Sequence, residues 1–155
     1  MRKVIGAIVG GGIAIFAGTN AMDDNTTRDE SGTITEAGGL GAFVINVGDC
    51  VQVPDETLVA SVEGVPCDQP HDAQAFAEHQ LHGDEYPGDS AIEDDAYDGC
   101  VDRWQSSIGT VWEDDTTYDL FVFTPTEESW AHDDRTVTCF VVRIDGARIT
   151  TDLLS

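Results

Sequence analysis

Val65-Pro66-Cys67-Asp68-Gln69-Pro70-His71-Asp72 gathers one of four cysteines, two of five prolines and one of four histidines into eight residues of a 155-residue chain. Proline disfavours helical geometry in the residue before it, so Val65 and Gln69 are held extended. Cys67 therefore sits on a stiff segment, which suits a crosslink. Cys50 lies upstream, and Cys100 and Cys139 lie downstream, each in a stretch that reads as regular structure.

Whether those cysteines are crosslinked depends on compartment. Met1-Arg2-Lys3 is followed by 15 uncharged residues, Val4 to Gly18, a basic region and then an apolar one. Thr19-Asn20-Ala21 offers small residues at the −3 and −1 positions of a cleavage site. The uncharged run extends to Met22, 19 residues in all, close to the roughly 20 a membrane span needs. Residues 1–22 thus read as a cleaved signal peptide or as a retained anchor, N-in and C-out. Either way the remainder is extracytoplasmic, secreted or membrane-anchored. Oxidising surroundings and an even number of cysteines favour disulfides. The spacings of 17, 33 and 39 residues lack the paired C-x-x-C of a zinc site.

Charge excludes one class of partner. The chain has 30 acidic and seven basic residues, a formal −23. Removing Arg2 and Lys3 leaves five arginines against all 30 acids, or −25. Such a body repels nucleic acid and anionic membrane surfaces. Contact with a membrane is expected only through the N-terminal segment, if it is uncleaved.

Residues 23–40 are polar, small and unpatterned, and read as a flexible acidic linker. A domain over 41–155 follows. Phe43–Val47, Cys50–Val53 and Leu58–Val62 read as strands, rich in β-branched residues. Residues 72–81 are ambiguous, since Ala73, Ala75 and Ala77 favour helix. Ser90-x-x-Glu93 is a capping box that starts a helix. Ile92, Ala96, Cys100, Trp104 and Ile108 then recur every four residues as its core stripe, and Gly109 is the expected stop. Tyr118–Phe123 reads as strand. Thr124-Pro125-Thr126-Glu127 reads as one capped helical turn with proline at its first position. Thr136–Ile144 is a strong strand, and Asp145-Gly146 is the turn of a hairpin returning through 147–150. The fold class is α+β: a small antiparallel sheet, one main helix packed on it, and two disulfides. Cys50 and Cys67 lie near the ends of adjacent strands and pair. Cys100 is left to tie the helix to Cys139.

No reaction is indicated. There is no G-x-S-x-G, and Ser61, Ser90, Ser106 and Ser107 lack an activating motif. His71 beside Asp72 could be oriented as a base, but reads as a turn histidine bonded locally. His79-x-x-His82 with Asp84 is the nearest approach to a ligand cluster, without H-E-x-x-H. No carboxylate run follows the spacing of a calcium loop. Catalytic residues, metal and cofactor are all expected to be none.

Val47-Gly48-Asp49-Cys50, Val65-Pro66-Cys67-x-x-Pro70-His71, Tyr86-Pro87-Gly88, Cys100, and Trp130 with Asp134-Arg135-x-Val137-x-Cys139 occur in that order. Together they resemble the septum-formation domain family of actinobacterial envelope proteins, over about residues 43–152. Asp133 stands where glycine is expected, and the alanine-rich 73–78 segment is unusual for the family. The resemblance implies that 72–81 is a strand and that the chain works in the envelope around cell division. It carries no activity or catalytic residue. It leaves His71, Trp130, Asp134 and Arg135 as possible interaction residues, with Asp134 and Arg135 read as an ion pair fixing the Trp130 loop. The expected role is a non-enzymatic interaction module whose partner is another envelope or divisome protein, or cell-wall polymer. A cell-wall polymer hydrolase and an acidic cation-binding surface protein are the alternatives.

Overall fold

A computed structural model describes residues 12–13, 21–55 and 58–154. The signal or anchor reading of 1–22 lies almost wholly outside the described residues. Within it only Gly12–Ile13 (β1), running parallel to Leu58–Val59, and residues 21–22 are described. Among the described residues no helix is long and apolar enough to cross a membrane.

In chain order the remaining elements are Thr27–Arg28 (β2), Ile34–Glu36 (β3), Gly38–Gly41 (β4), Cys50–Gln52 (β5), Leu58–Val59 (β6) and Ser61–Val65 (β7). Ala73–Gln80 (β8), Asp89–Ile108 (α1), Tyr118–Phe123 (β9), Glu127–Ala131 (α2) and Thr136–Arg143 (β10) follow. The main sheet has six strands in the order β4-β7-β5-β8-β10-β9, with antiparallel neighbours throughout. The α+β class, the single main helix and both disulfides are as expected.

β8 settles the ambiguous segment as a strand. It pairs with β10 along one edge and with β5 along the other. Ala73 to Ala77 are all buried, so alanine stands where two faces of the sheet are both covered. One face carries α1, whose Ile92, Ala96, Cys100 and Trp104 join Leu120, Val122, Val137, Cys139 and Val141. The other face packs Phe121, Phe123 and Phe140, ring centroids 4.9–5.6 Å apart, with Ile34, Leu40, Ile45 and Val51. A helix over 72–81 could not offer hydrogen-bonding edges to two neighbours, and tertiary pairing overrides the local alanine propensity.

Several boundaries differ from expectation. Residues 23–40 are not a free linker. Asn25 N–H donates to the Gly39 carbonyl (2.8 Å) and Gly41 N–H to Asp23 (2.6 Å), so the chain covers the outer edge of β4. An uncovered edge exposes a row of unpaired amides and carbonyls, which this arm satisfies. Residues 43–47 form no strand: Ala42–Val44 is a 3₁₀ turn, with Ile45 turned into the core. Helix α1 starts one residue early, at Asp89, and lacks a side-chain cap. Gly88, at φ 100°, redirects the chain after Tyr86-Pro87 and serves as the N-cap, which leaves Ser90 inside the helix. The Gly109 stop stands, in left-handed geometry, with its N–H on the Gln105 carbonyl. The cap of α2 is Thr126, whose hydroxyl and backbone exchange bonds with Ser129, so Pro125 precedes the cap. The hairpin at 145–146 has no returning strand, because β8 and β9 already occupy both edges of β10. Ile149 instead bridges His71.

Cys100–Cys139 joins α1 to β10 with Cα atoms 5.7 Å apart, and Cys50–Cys67 joins β5 to the corner after β7 at 5.3 Å. With loops of 39 and 17 residues, the chain-entropy account assigns them about 4 and about 3 kcal/mol.

Gly99 sets how closely α1 approaches the sheet. A Cβ there would fall 2.3–2.5 Å from the His79 ring of β8. Alanine gains about 1 kcal/mol of helix propensity, whereas overpacking costs about 1–3 kcal/mol and more when the neighbour is ring rather than chain end. Gly99→Ala is expected to lower unfolding free energy by about 2 kcal/mol in urea titration, and His79→Ala in the same chain should recover most of the loss.

Candidate functional site

The turn Asn46-Val47-Gly48-Asp49 delivers the chain into β5. Gly48, at φ 102°, occupies a conformation that side chains disfavour. Its N–H donates to the Ala75 carbonyl (2.7 Å), and Ala75 returns a bond to the Asp49 carbonyl (2.9 Å), which sets the turn against β8. Asp49 is 5% exposed. Its carboxylate receives a forked pair from Arg28, Nη1 to Oδ1 at 2.7 Å and Nη2 to Oδ2 at 2.8 Å, and the Asn46 N–H at 2.9 Å. Arg28 also donates to Asp24 (2.7 Å) and to the Gly32 carbonyl (2.7 Å), which pins the β2–β3 arm over the turn.

Between arm and turn lies a cleft of about 320 Å³. Ser31 to Ile34 of the arm and Asn46 to Asp49 of the turn line it, together with Cys50, Val65, Cys67 and the C-terminal tail residues Asp152 and Leu154. Val47, 52% exposed, stands on its rim. The tail is held by Gln74, fully buried on β8. Its Nε2 donates to Gly48 O (3.1 Å) and Asp152 Oδ1 (2.8 Å), and its Oε1 accepts the Leu153 N–H (2.9 Å). The cleft thus mixes hydroxyls, an amide, two carboxylates, aliphatic side chains and one disulfide.

Of the four candidate interaction residues, His71 stands apart from the other three. His71 is fully buried and exchanges backbone bonds with Ile149 (2.9 and 2.8 Å). Its Nδ1–H donates to the Gln69 carbonyl (2.7 Å), and Nε2 is buried without a partner. Trp130, Asp134 and Arg135 cluster elsewhere, at α2. Trp130 Nε1 donates to Asp84 O (3.1 Å) and its ring meets Tyr86 edge-on at 5.9 Å. The Arg135 guanidinium lies 3.7 Å over the Trp130 ring and donates to the carbonyls of Gly83, Trp130 and Asp134. The expected Asp134–Arg135 ion pair is replaced by these bonds. Asp134 instead accepts from Ser129 Oγ (2.8 Å) and the Thr136 N–H (3.1 Å), and burial raises its pKa. This cluster clamps loop 82–88 to α2.

The His79, His82, Asp84 grouping is not assembled either. His79 turns to Asp95 of α1, Nε2 to Oδ1 at 2.8 Å. Among the described residues no group of three or more His, Cys, Asp or Glu could hold a metal ion.

Arg28, Gln74 and Asp152 support the cleft without standing out in the sequence, and Asp49 stands out there only within the Val47-Gly48-Asp49-Cys50 motif. One signal was present. In a body with five arginines and 30 acids, each arginine is a scarce cation. Arg28, Arg143 and Arg148 each meet a carboxylate, while Arg103 caps the Gly99 carbonyl.

Two outcomes follow. Arg28→Ala strands a buried carboxylate and is expected to cost about 2–4 kcal/mol; Asp49→Asn added to it should recover part of that in chemical denaturation. Burial holds the His71 ring below its ordinary pKa of 6.5. The unfolded chain therefore takes up a proton near 6.5 before the folded one does, and stability declines as pH falls below that value. His71→Gln should flatten this part of the stability–pH curve relative to wild type.

A family model described as septum formation matches residues 47–152. No curated protein and no solved structure matches the chain significantly. The family match takes in the Gly48-Asp49-Cys50 turn, both disulfides, His71 and the Trp130 clamp, and it covers most of the chain: the protein belongs to the septum-formation family.

Proposed function

We propose that the protein is a non-enzymatic extracytoplasmic interaction module of the cell envelope, acting in septum formation by docking another envelope or divisome protein. One observation supports this above others. The residues that carry the family resemblance serve the scaffold, and part of what they shape is the open cleft between the arm, the Gly48 turn and the Cys50–Cys67 bridge. Asp49 and Cys50 hold its walls, while Val47 presents an exposed aliphatic side chain at its rim. A mixed apolar and polar cleft of this size takes one or two side chains of a partner, whereas a wall hydrolase needs a groove along a polymer; the cleft's two carboxylates, Asp49 and Asp152, are engaged by Arg28 and Gln74. The two disulfides fit an extracellular location. Export through residues 1–22, as a cleaved signal or a retained anchor, completes the proposal.

The test is a photocrosslinking residue placed at Val47 in dividing cells, with the same residue at exposed Asp98 of α1 as control. The expected result is a discrete protein adduct from Val47 that is absent from Asp98. Adducts of equal pattern from both sites, or attachment to wall polymer alone, would contradict the docking site. Release of soluble wall fragments by the purified exported protein would overturn the non-enzymatic assignment.

A further inference from the structure

The two disulfides occupy opposite environments. Cys100 and Cys139 are both fully buried in the core between α1 and the sheet. Cys50 is also fully buried, but its partner Cys67 is half-buried on the 66–69 turn, and the bridge lines the open cleft. From this difference we infer that Cys50–Cys67 is a thiol-exchange site, opened by an incoming thiolate that enters the cleft and attacks Cys67 Sγ.

Access sets the first step. Exchange proceeds by attack of a thiolate on one sulfur with departure of the other, and it depends on which sulfur can be reached. Cys67 is the more exposed half of the bridge, which makes its sulfur the one attacked and Cys50 the leaving sulfur. The new bond joins the attacking sulfur to Cys67, the Cys67–Cys50 bond breaks, and Cys50 leaves as a thiolate that takes a proton. With a dithiol, its second sulfur then displaces Cys67. That step leaves both cysteines reduced and the dithiol oxidised to a cyclic disulfide, a transfer of two electrons.

Local geometry provides for the reduced pair. The Gly48 carbonyl lies 3.4 Å from Cys67 Sγ and 4.0 Å from Cys50 Sγ, an acceptor for either S–H. The Gln74 Nε2 lies 3.7 Å from Cys67 Sγ, with its two hydrogens directed to the Gly48 carbonyl and Asp152. Backbone pairing keeps Cys50 in place when the bridge is open: Cys50 is registered with Val65 of β7 on one side and Gln74 of β8 on the other. The Pro66 carbonyl accepts the Gln69 N–H at 3.0 Å, which retains the turn that carries Cys67. The site can therefore open and reclose without loss of the sheet. The chemical class it takes is a small-molecule thiol. This assignment is independent of the docking proposal, since it requires no stable partner.

The experiment uses the exported protein with limiting dithiothreitol, iodoacetamide quenching and peptide mass spectrometry, with tryptophan fluorescence followed in parallel. Cys50 and Cys67 are expected to be alkylated about tenfold or more faster than Cys100 and Cys139, while fluorescence from the buried Trp104 core is unchanged. Reduced glutathione, a monothiol, should trap its mixed disulfide on Cys67. Equal rates, earlier labelling of Cys100 and Cys139, labelling only as fluorescence is lost, or a glutathione adduct on Cys50 would each overturn the assignment.

Discussion

Asp49, through its buried carboxylate, ties the N-terminal arm to the turn that opens β5. Its carboxylate holds the Arg28 fork and the Asn46 amide, its backbone is bonded to Asn46 and Ala75, and the next residue is a half-cystine. Through these bonds one residue connects the N-terminal arm, the Gly48 turn, β5, β8 and the 66–70 corner. Desolvating a carboxylate is costly unless its lone pairs are filled. Here they are filled by a guanidinium from 21 residues upstream, so burial of Asp49 obliges the arm to fold back. The family match begins at residue 47, downstream of Arg28, yet the arm closes the β4 edge and walls the cleft.

The sheet is organised around β8 in a second sense. A central strand covered on both faces has room for small side chains where α1 and the phenylalanine cluster press closest. Ala73, Ala75 and Ala77 meet that need on β8, and Gly99 meets it on α1. The Cys100–Cys139 bridge then fastens the helix one residue beyond that close contact. Packing distance and crosslink act on the same point of the helix.

This explains which features could be read in advance. The four-residue period of α1 and the β-branched run of β10 are local patterns, and their elements are where those patterns place them. The disulfide partners follow from the positions of strand ends and the helix stripe. β8 is opaque to local reading, because alanine speaks for helix alone and for a crowded strand only when both neighbours are known. Residues 23–40 look like a linker because strands of two to four residues leave no periodicity, and because Arg28 has no visible partner until Asp49 is placed beside it. The 147–150 strand failed for a topological reason, as β10 has no free edge. The cleft was hidden for a related reason. Its walls come from residues near 31–34, 46–50, 65–67 and 152–154, and no single stretch announces it. His71 and the Trp130 cluster stand out in sequence because their side chains are unusual, and the fold uses them to hold backbone.

The arm over residues 21–41 is part of the domain, held by Asp49 and closing the sheet edge. Peptide-resolved hydrogen exchange of the disulfide-bonded protein is the decisive measurement. The Asn25 and Gly41 amides, bonded across the β4 edge, are expected to exchange as slowly as those of β5. Exchange of 21–41 at the rate of an unstructured chain, with β5 and β8 still protected, would contradict it.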